Sequence, residues 1–422
     1  MNQRRTIYEA ASGGRYHSFL RLRDKDVSCM RILMLQHRFF PSIGGMQEHV
    51  HILGRELVKR GNEVTVYTLN SRDNEDIPCL HLAPPFITQN VRSPGLTEKE
   101  IIDGVCVRRF DVALRFWSFI RSPGMFRELK RDIRKYDIVH AHGYHLLSSV
   151  YGCYLAKKRR KTFVLTGHDM LITDDLPLSA RILKRIYDLS LGRYLIKNAS
   201  KMIALTEDQI AQYTERGGDE SKITVIPNAI DLEKYVGCED PANDKSGKSL
   251  LFVGRIEKYK GIQDVVGMMP ALLASEPDVR LTIVGGDSGF RRELEGLSER
   301  LGVIDNIDFT GEVSRDDLLK EYREADIFVL PSRMEGFGIV LLEAMASGLP
   351  CVAYSIPSVR TLIEHGKTGL LAENEEEFFK SVLCLLKDDC VRSRIRESGL
   401  ECVKRYSVGN MADLTWQVYG GD

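Results

Sequence analysis

Residues 327–345 have the sequence IFVLPSRMEGFGIVLLEAM, and this stretch decides the fold. Its first part, Ile327–Pro331, is a short apolar run that predicts a buried strand. Two glycines, Gly336 and Gly338, then form a turn in which the backbone can approach a ligand closely. An apolar helix is predicted at Ile339–Ser347. A strand that leads through a glycine turn into a helix is typical of a βαβ unit, and therefore of a parallel sheet.

The same alternation of strands and helices extends outward from this stretch in both directions. Further strands are predicted at Arg31–Gln36, Val64–Leu69, Val105–Phe110, Asp137–Ala141, Thr162–Thr166, Lys201–Thr206, Ile223–Ile226, Ser249–Gly254, Val279–Val284, Asn306–Thr310 and Pro350–Tyr354. Amphipathic stretches at Phe116–Lys135, Tyr144–Lys157 and Leu178–Asn198 are interpreted as helices. The pattern predicts an α/β protein with two Rossmann-like, doubly wound parallel-sheet domains that face each other across a cleft.

Domain boundaries follow from where the apolar periodicity stops. Residues 1–29 are basic and without apolar period, which predicts a disordered extension, and they lack the apolar core of a signal peptide. Residues 236–248 are rich in turn-forming types and predict a linker. The first domain is therefore expected at 30–235, the second at 249–405, and a C-terminal helix within 406–422.

Composition limits the class of protein. With 43% hydrophobic and 28% charged residues, the 422-residue chain has the composition of a globular protein. Its nine cysteines never form a Cys-x-x-Cys pair, which argues against a disulfide framework and favours a cytoplasmic location. The net charge is zero, yet residues 30–235 carry 31 basic against 24 acidic side chains, and residues 236–422 carry 22 against 32. The first half is thus expected to face an anionic partner, although an uneven solvated surface would explain the same counts.

Two carboxylates flank the predicted start of the helix after the glycine turn. Glu335 and Glu343 lie eight residues apart, about 12 Å if the segment is helical. That distance is close to the span between the sugar and the ribose of a nucleotide sugar. Free backbone N–H groups at the helix start favour phosphate between them. A helix cap and a surface acid would explain the same two residues.

Cations and glycines follow two other predicted strands. Arg255 and Lys260 come directly after Ser249–Gly254, where both can reach one diphosphate. Gly44 and Gly45 come after the first strand and can place backbone amides near a phosphate. A solvated loop and a tight turn are the alternative explanations. The chain contains neither the dinucleotide fingerprint nor the P-loop, which argues against hydride transfer and nucleotide hydrolysis.

Histidines are found at the ends of two more predicted strands. His140 and His142 follow one strand, and His168 with Asp169 follows the next. Imidazoles at such positions can donate hydrogen bonds or carry protons. No third ligand of suitable spacing is evident, so no metal site is expected.

Together these residues resemble the retaining family 4 glycosyltransferases of the GT-B fold. The resemblance covers nearly all of Met30–Ser407, and its most specific parts are the two glutamates of the 335–343 segment and the Arg255…Lys260-Gly261 loop. Supporting matches are Phe40-Pro41…Gly44-Gly45, His140-Ala141-His142 and Pro227-Asn228-Ala229-Ile230-Asp231, where the family often has glycine at position 229.

The resemblance implies a role for each matching residue. Donor-binding residues would be Gly44, Gly45, Arg255, Lys260, Glu335, Phe337, Gly338, Ile339 and Glu343. Catalytic residues would be His142, Arg255, Lys260 and Glu335, with His168 and Asp169 on the acceptor side. It also implies that the C-terminal helix returns to the first domain.

The resemblance further implies transfer of a hexosyl group from a UDP- or GDP-sugar to a hydroxyl of a lipid-linked or glycan acceptor, without a metal or other cofactor. Basic stretches at Arg121–Arg134, Lys157–Lys161 and Arg181–Lys197 suggest peripheral contact with an anionic membrane at its inner face, although solvated helix faces would look the same. Nucleic acid is not an expected partner. A nucleotide-sugar 2-epimerase of the same fold and a non-catalytic nucleotide-sugar-binding regulator are the alternatives.

Overall fold

The computed structural model describes residues 29–42, 44–71, 88–91, 95–116, 119–168, 178–235 and 248–421. Almost all of the expected N-terminal extension and linker lies outside these residues. Lys248, placed in the linker by sequence, is the first residue of a strand.

Strands and helices alternate through the first half of the chain. The strands are β1 (Arg31–Leu35), β2 (Glu63–Leu69), β3 (Thr88–Val91), β4 (Lys99–Ile102), β5 (Val105–Phe110), β6 (Val112–Phe116), β7 (Phe119–Arg121), β8 (Ile138–His142), β9 (Thr162–Thr166), β10 (Lys201–Ala204) and β11 (Ile223–Val225). The helices are α1 (Gly45–Lys59), α2 (Pro123–Asp132), α3 (Leu147–Arg159), α4 (Leu178–Tyr187), α5 (Arg193–Asn198) and α6 (Asp208–Glu215).

The second half continues the alternation. Its strands are β12 (Lys248–Val253), β13 (Val279–Val284), β14 (Ile307–Gly311), β15 (Ile327–Leu330), β16 (Cys351–Tyr354) and β17 (Leu370–Ala372). Its helices are α7 (Ile262–Ser275), α8 (Arg291–Arg300), α9 (Arg315–Glu324), α10 (Ile339–Ala346), α11 (Pro357–Arg360), α12 (Glu375–Lys387), α13 (Asp389–Val403) and α14 (Val408–Tyr419).

Each half builds its own sheet. Among the described residues, the first sheet has the order β11-β10-β9-β8-β1-β2-β5-β4, in which β4 alone runs antiparallel. The second has the order β14-β13-β12-β15-β16-β17 and is parallel throughout. This is the GT-B fold that the sequence predicts.

Both sheets reverse their strand order at one point. In the first sheet the chain runs outward from β1 on one side and from β8 on the other, and in the second from β12 and β15. In open α/β sheets such a switch point leaves a crevice beyond the carboxyl ends of the two strands. Gly44 and Gly45 follow β1, His142 ends β8, Arg255 follows β12 and Glu335 follows β15. The candidate residues therefore lie at the two switch points.

The sequence prediction was wrong at the start of the stretch Phe116–Lys135. Strand β6 ends at its first residue and β7 follows, and β6 pairs with β3 on one side and with β7 on the other in a small antiparallel sheet. The helix starts only at Pro123, whose fixed φ suits a first helical position. Short strands of three to five residues give little periodic signal, which is why they were missed.

The C-terminal helix α14 packs on the first domain. Met411, Ala412 and Val418 lie in the apolar core that β1, β2 and α1 share. Near the start of the helix the Arg60 guanidinium donates to the carbonyl oxygen of Gly409 at 3.1 Å. The chain thus crosses back from the second domain to cover the first. No helix among the described residues is long and apolar enough to cross a membrane.

Candidate active site

The turn between β15 and α10 forms the second domain's side of the site. Gly338 caps α10 with φ 92°, a left-handed conformation that favours glycine. The Phe337 side chain is buried and meets the Tyr406 ring edge-on, with 6.3 Å between centroids. This packing fixes the turn, so that the backbone N–H groups at the start of α10 have a defined direction.

Lys260 and Glu335 form an ion pair at this turn. The Lys260 Nζ donates to Glu335 Oε1 at 2.7 Å, and the two side chains are only 13% and 10% exposed. Burying charges is costly even when they are paired, so such a pair is weak evidence for stability. Its position at a helix N-terminus beyond a switch point is what a phosphate and a polar sugar would require.

Gly261 explains how Lys260 reaches Glu335. Gly261 has φ 71°, and a Cβ atom at this position would lie 2.0 Å from the carbonyl oxygen of Pro331. Only glycine allows the loop after β12 to approach the end of β15 so closely.

We therefore expect Gly261→Ala to lower both stability and activity. Left-handed backbone strain and the clash with the Pro331 carbonyl should lower the free energy of unfolding by about 1–3 kcal/mol, and displacement of Lys260 should lower turnover. Gly267→Ala is the matched control, because Gly267 lies in α7 with open space around its Cβ position. Urea denaturation measures the free energy of unfolding of Gly261→Ala and of Gly267→Ala. Equal stability of the two variants would contradict the close approach.

Arg255 lies in the same loop as Lys260. Its Nη1 is 2.6 Å from Glu257 Oε1, and its Nη2 donates to the Tyr259 hydroxyl at 3.0 Å. About a third of the Arg255 side chain is exposed. The guanidinium is thus held in place at the mouth of the crevice while part of it faces solvent.

Glu343 is buried in the second turn of α10. The Tyr235 hydroxyl donates to its Oε1 and the Tyr322 hydroxyl to its Oε2, each at 3.0 Å, and Arg315 Nη1 is 3.3 Å from Oε1. Burial raises the pKa of this carboxyl, although Arg315 and the two hydroxyls oppose the shift. Both carboxylate oxygens thus have protein partners, and a ribose at this position would have to share them.

The first domain meets this turn across the cleft. A Cβ atom on Gly45 would lie 3.0 Å from Ile339 Cδ1, and one on Gly336 would lie 3.0 Å from the His168 carbonyl oxygen. Gln209 Nε2 donates to the Gly336 carbonyl oxygen at 3.2 Å. The two switch points therefore face each other at close range.

A group of buried histidines lies on the first domain's side of the site: His49, His140, His142 and His168. His140 is satisfied at both ring nitrogens, with Tyr419 Oη at 2.7 Å and Thr166 Oγ1 at 2.8 Å. His142 Nδ1 lies 3.2 Å from His168 Nε2. The His49 ring, from α1, packs against both His142 and His168, with centroids 5.4 and 4.8 Å away.

These imidazoles are neutral at physiological pH. Burial lowers the pKa of His49 to about 4, and burial followed by the neighbouring histidines lowers the pKa of His142 well below its ordinary value. The pKa of His168 is lowered for the same reasons. A neutral imidazole can either accept or donate a hydrogen bond.

The backbone at His168 is strained. Its φ is 53°, which is uncommon for a residue other than glycine, and such strain concentrates at functional sites. The residue after it, Asp169, was also predicted for the acceptor side and lies outside the described residues.

Two protein-family models match this chain, and together they span most of it. The model described as Glycosyltransferase Family 4 matches residues 43–234, and the model described as Glycosyl transferases group 1 matches residues 239–401. The chain belongs to the family 4 glycosyltransferases. It is therefore an enzyme, a glycosyltransferase of the GT-B fold.

Named relatives and solved structures agree with the family. The glycosyltransferase is 27% identical to D-inositol 3-phosphate glycosyltransferase of Corynebacterium glutamicum (strain R), over 86% of this chain and 88% of the relative. It is 29% identical to the enzyme of that name from Nocardia farcinica, over 88% of this chain and 82% of that relative. Its fold matches Anabaena HepE in complex with UDP and glucose with a TM-score of 0.71, at 19% identity over 93% and 99% of the chains.

The structure also brings residues to the candidate site that the sequence did not reveal. Tyr235, Tyr322 and Arg315 surround Glu343, and His49 joins His142 and His168. Tyr235 borders the predicted linker and His49 lies inside an amphipathic helix, so neither stood out. The spacing of the sequence indicated no third metal ligand, whereas in the structure a ring nitrogen of His49 lies within 4.8 Å of one from His142 and one from His168.

Proposed function

We propose that this glycosyltransferase moves a hexosyl group from a UDP- or GDP-sugar to a hydroxyl of a lipid-linked or glycan acceptor, with retention of the anomeric configuration and without a metal. One observation carries the proposal: the buried pair of Lys260 and Glu335 at the N-terminus of α10, which Gly45 faces from the first domain. A sugar diphosphate offers hydroxyls to Glu335 and negative charge to Lys260.

Negative charge develops on the diphosphate as its bond to the sugar breaks. Lys260, Arg255 and the free amides at the start of α10 can stabilise that charge from fixed positions. Fixed donors in a partly buried site need no reorganisation when the charge appears, so no Mg²⁺ is required for this step. The solved Anabaena structures with UDP and with UDP-glucose support a nucleotide sugar as the donor type.

In the proposed reaction the bond between the anomeric carbon and the phosphate oxygen breaks. The acceptor oxygen bonds to the same carbon on the same face, and its proton passes to the departing diphosphate. Neutral His142, next to the facing turn, would hydrogen-bond the sugar near the anomeric centre. The products are the glycosylated acceptor and a nucleoside diphosphate.

Incubation of the purified chain with donor and acceptor, with and without EDTA, tests this proposal. We expect transfer that EDTA leaves unchanged, and an NMR spectrum that shows the donor's anomeric configuration in the product. A product of inverted anomeric configuration would refute retention, and activity abolished by EDTA would refute metal independence. Release of nucleoside diphosphate without any acceptor would favour the 2-epimerase instead. D-inositol 3-phosphate, which the names of the relatives include, belongs in the acceptor panel as the soluble alternative.

The acceptor is proposed to be lipid-linked because of the surface of α4. Five large apolar side chains on α4 and the turn after it are 40–71% exposed, which is unusual for one short segment: Leu178, Ile182, Ile186, Leu189 and Leu191. The first three recur every four residues and so share one face. Arg185, Arg193 and Lys197 are exposed nearby. An apolar stripe flanked by cations fits the surface of an anionic membrane.

We therefore expect the double variant Ile182→Ser/Ile186→Ser to lose binding to anionic vesicles. In co-sedimentation with phosphatidylglycerol vesicles at low salt, the unsubstituted chain should pellet, and less of it should do so at high salt. Ile101→Ser is the matched control, because Ile101 is 73% exposed on the edge strand β4. No binding by the unsubstituted chain, or equal loss in the control, would contradict the membrane contact.

A further inference from the structure

We infer that His49, His142 and His168 form a site for a divalent transition-metal ion of the Zn²⁺ type, and that this ion inhibits transfer. The inhibition part rests on the proposed function, whereas the binding part does not. One ring nitrogen from each histidine lies within 4.8 Å of the other two. The three residues come from α1, from the end of β8 and from the turn after β9.

The separations fit a tetrahedral ion. Zinc binds imidazole nitrogen at about 2.0–2.1 Å, so neighbouring ligand atoms of a tetrahedron lie roughly 3.3 Å apart. His142 Nδ1 and His168 Nε2 are already 3.2 Å apart. The two ligand atoms that are farthest apart in the group lie at most 4.8 Å from each other. They would have to come only about 1.5 Å closer to reach that tetrahedral spacing.

Unpartnered nitrogens distinguish this group from ordinary buried histidines. His49 Nδ1 has no hydrogen-bond partner within the described part of the chain, and the residue is almost fully buried. His142 Nε2 also has no partner there, but the His142 nitrogen that faces His168 is Nδ1. His140, by contrast, is next to His142 and has a partner at each nitrogen. A buried polar atom without a partner is uncommon in native structures and calls for an explanation such as a bound ion.

The chemistry of the group selects the class of ion. Three neutral imidazoles suit Zn²⁺ and related transition ions, whereas Mg²⁺ and Ca²⁺ prefer oxygen ligands. Three protein ligands leave a fourth position for water or an anion. No carboxylate belongs to the group, so a bound ion would keep its full positive charge.

Inhibition follows from where the group lies. The carbonyl oxygen of His168 lies close to Gly336 across the cleft, so one residue of the group borders the turn that carries Glu335. An ion on His142 would withdraw the imidazole that the proposed reaction places near the anomeric carbon. It would also fix His49 and His168 around itself in the space where sugar and acceptor meet.

Equilibrium dialysis of the full chain, without a polyhistidine tag, against Zn²⁺ tests the site. We expect one zinc ion per chain, and at least a tenfold weaker dissociation constant in His49→Gln and in His168→Gln. His51→Gln is the matched control, because His51 lies two residues along α1 and is paired with Asp103 at 2.9 Å. Thermal unfolding without metal verifies that each variant folds, and bound zinc should raise the unfolding temperature of the unsubstituted chain.

No stoichiometric zinc in the unsubstituted chain, or full retention of zinc binding in His49→Gln, would overturn the site.

Transfer is then measured with and without saturating Zn²⁺, and each variant is compared with its own zinc-free rate. Loss of transfer with zinc, its recovery with EDTA, and insensitivity of His49→Gln support inhibition. Zinc bound in the expected pattern with unchanged transfer would overturn the inhibition alone. The same binding pattern without transfer from any donor would support the site and refute the proposed function.

Discussion

Replacement of Glu335 by alanine is expected to lower kcat/KM by on the order of 10²–10³, and Lys260→Ala by a similar factor. Each change removes one half of the pair at the N-terminus of α10, and with it either the sugar contact or the charge opposite the diphosphate. Because the two side chains contact each other, the double variant should lose less than the product of the single losses. Steady-state kinetics of the four proteins measure this coupling.

Lys258→Ala is the control for those variants. Lys258 lies two residues before Lys260 in the same short turn, but its side chain is exposed. Its loss should leave transfer near the unsubstituted rate, while thermal unfolding shows that all variants fold. Near-normal transfer in both Glu335→Ala and Lys260→Ala would refute the site assignment. Strictly multiplicative losses would contradict the contact between them.

The second large effect concerns Glu343. Alanine at this position leaves two buried phenol hydroxyls without their acceptor and Arg315 without its counter-charge. We expect the free energy of unfolding to fall by roughly 2–3 kcal/mol, the cost of unpaired buried groups. Glu343→Gln keeps an acceptor of the same shape and should lose about half as much. Urea denaturation of both variants measures the difference.

Glu324→Ala serves as the comparison for Glu343. Glu324 ends α9 with an exposed side chain and a loose pair to Lys320 at 3.7 Å, so its removal should change stability by less than about 0.5 kcal/mol. Equal stability of Glu324→Ala and Glu343→Ala would contradict the buried network. If Glu343 also holds the ribose, Glu343→Gln will weaken donor binding more than its small stability loss explains.

Local sequence patterns predicted the fold because each signal lies within one βαβ unit. The strand–turn–helix at 327–345 was predicted almost to the residue, and Val279–Val284 to the residue. The strand order reverses between β1 and β8 and between β12 and β15, and these two points determine which loops can form a site. Arg255, Lys260 and Glu335 could be grouped from the sequence because each follows a predicted strand and matches the family motifs, and the observed strand order places their strands, β12 and β15, side by side.

Contacts between distant segments could not be predicted. Tyr235 reaches Glu343 across 108 residues, and nothing in the turn-rich sequence after Tyr235 indicates that it packs into the second domain. His49 meets His142 because α1 follows β1, which pairs with β8. The amphipathic pattern of α1 shows only that one face is buried, and not what that face contacts.

A donor panel scored by thermal unfolding, run on the unsubstituted chain and on Lys260→Ala, tests whether the turn that holds Lys260 and Glu335 binds a nucleotide sugar. A ligand at 100 times its dissociation constant should add about 2.7 kcal/mol of apparent stability. We expect UDP- or GDP-sugars to raise the unfolding temperature of the unsubstituted chain, and Lys260→Ala to lose most of this rise. No shift with any nucleotide sugar, or the same shift in Lys260→Ala, would contradict binding at this turn.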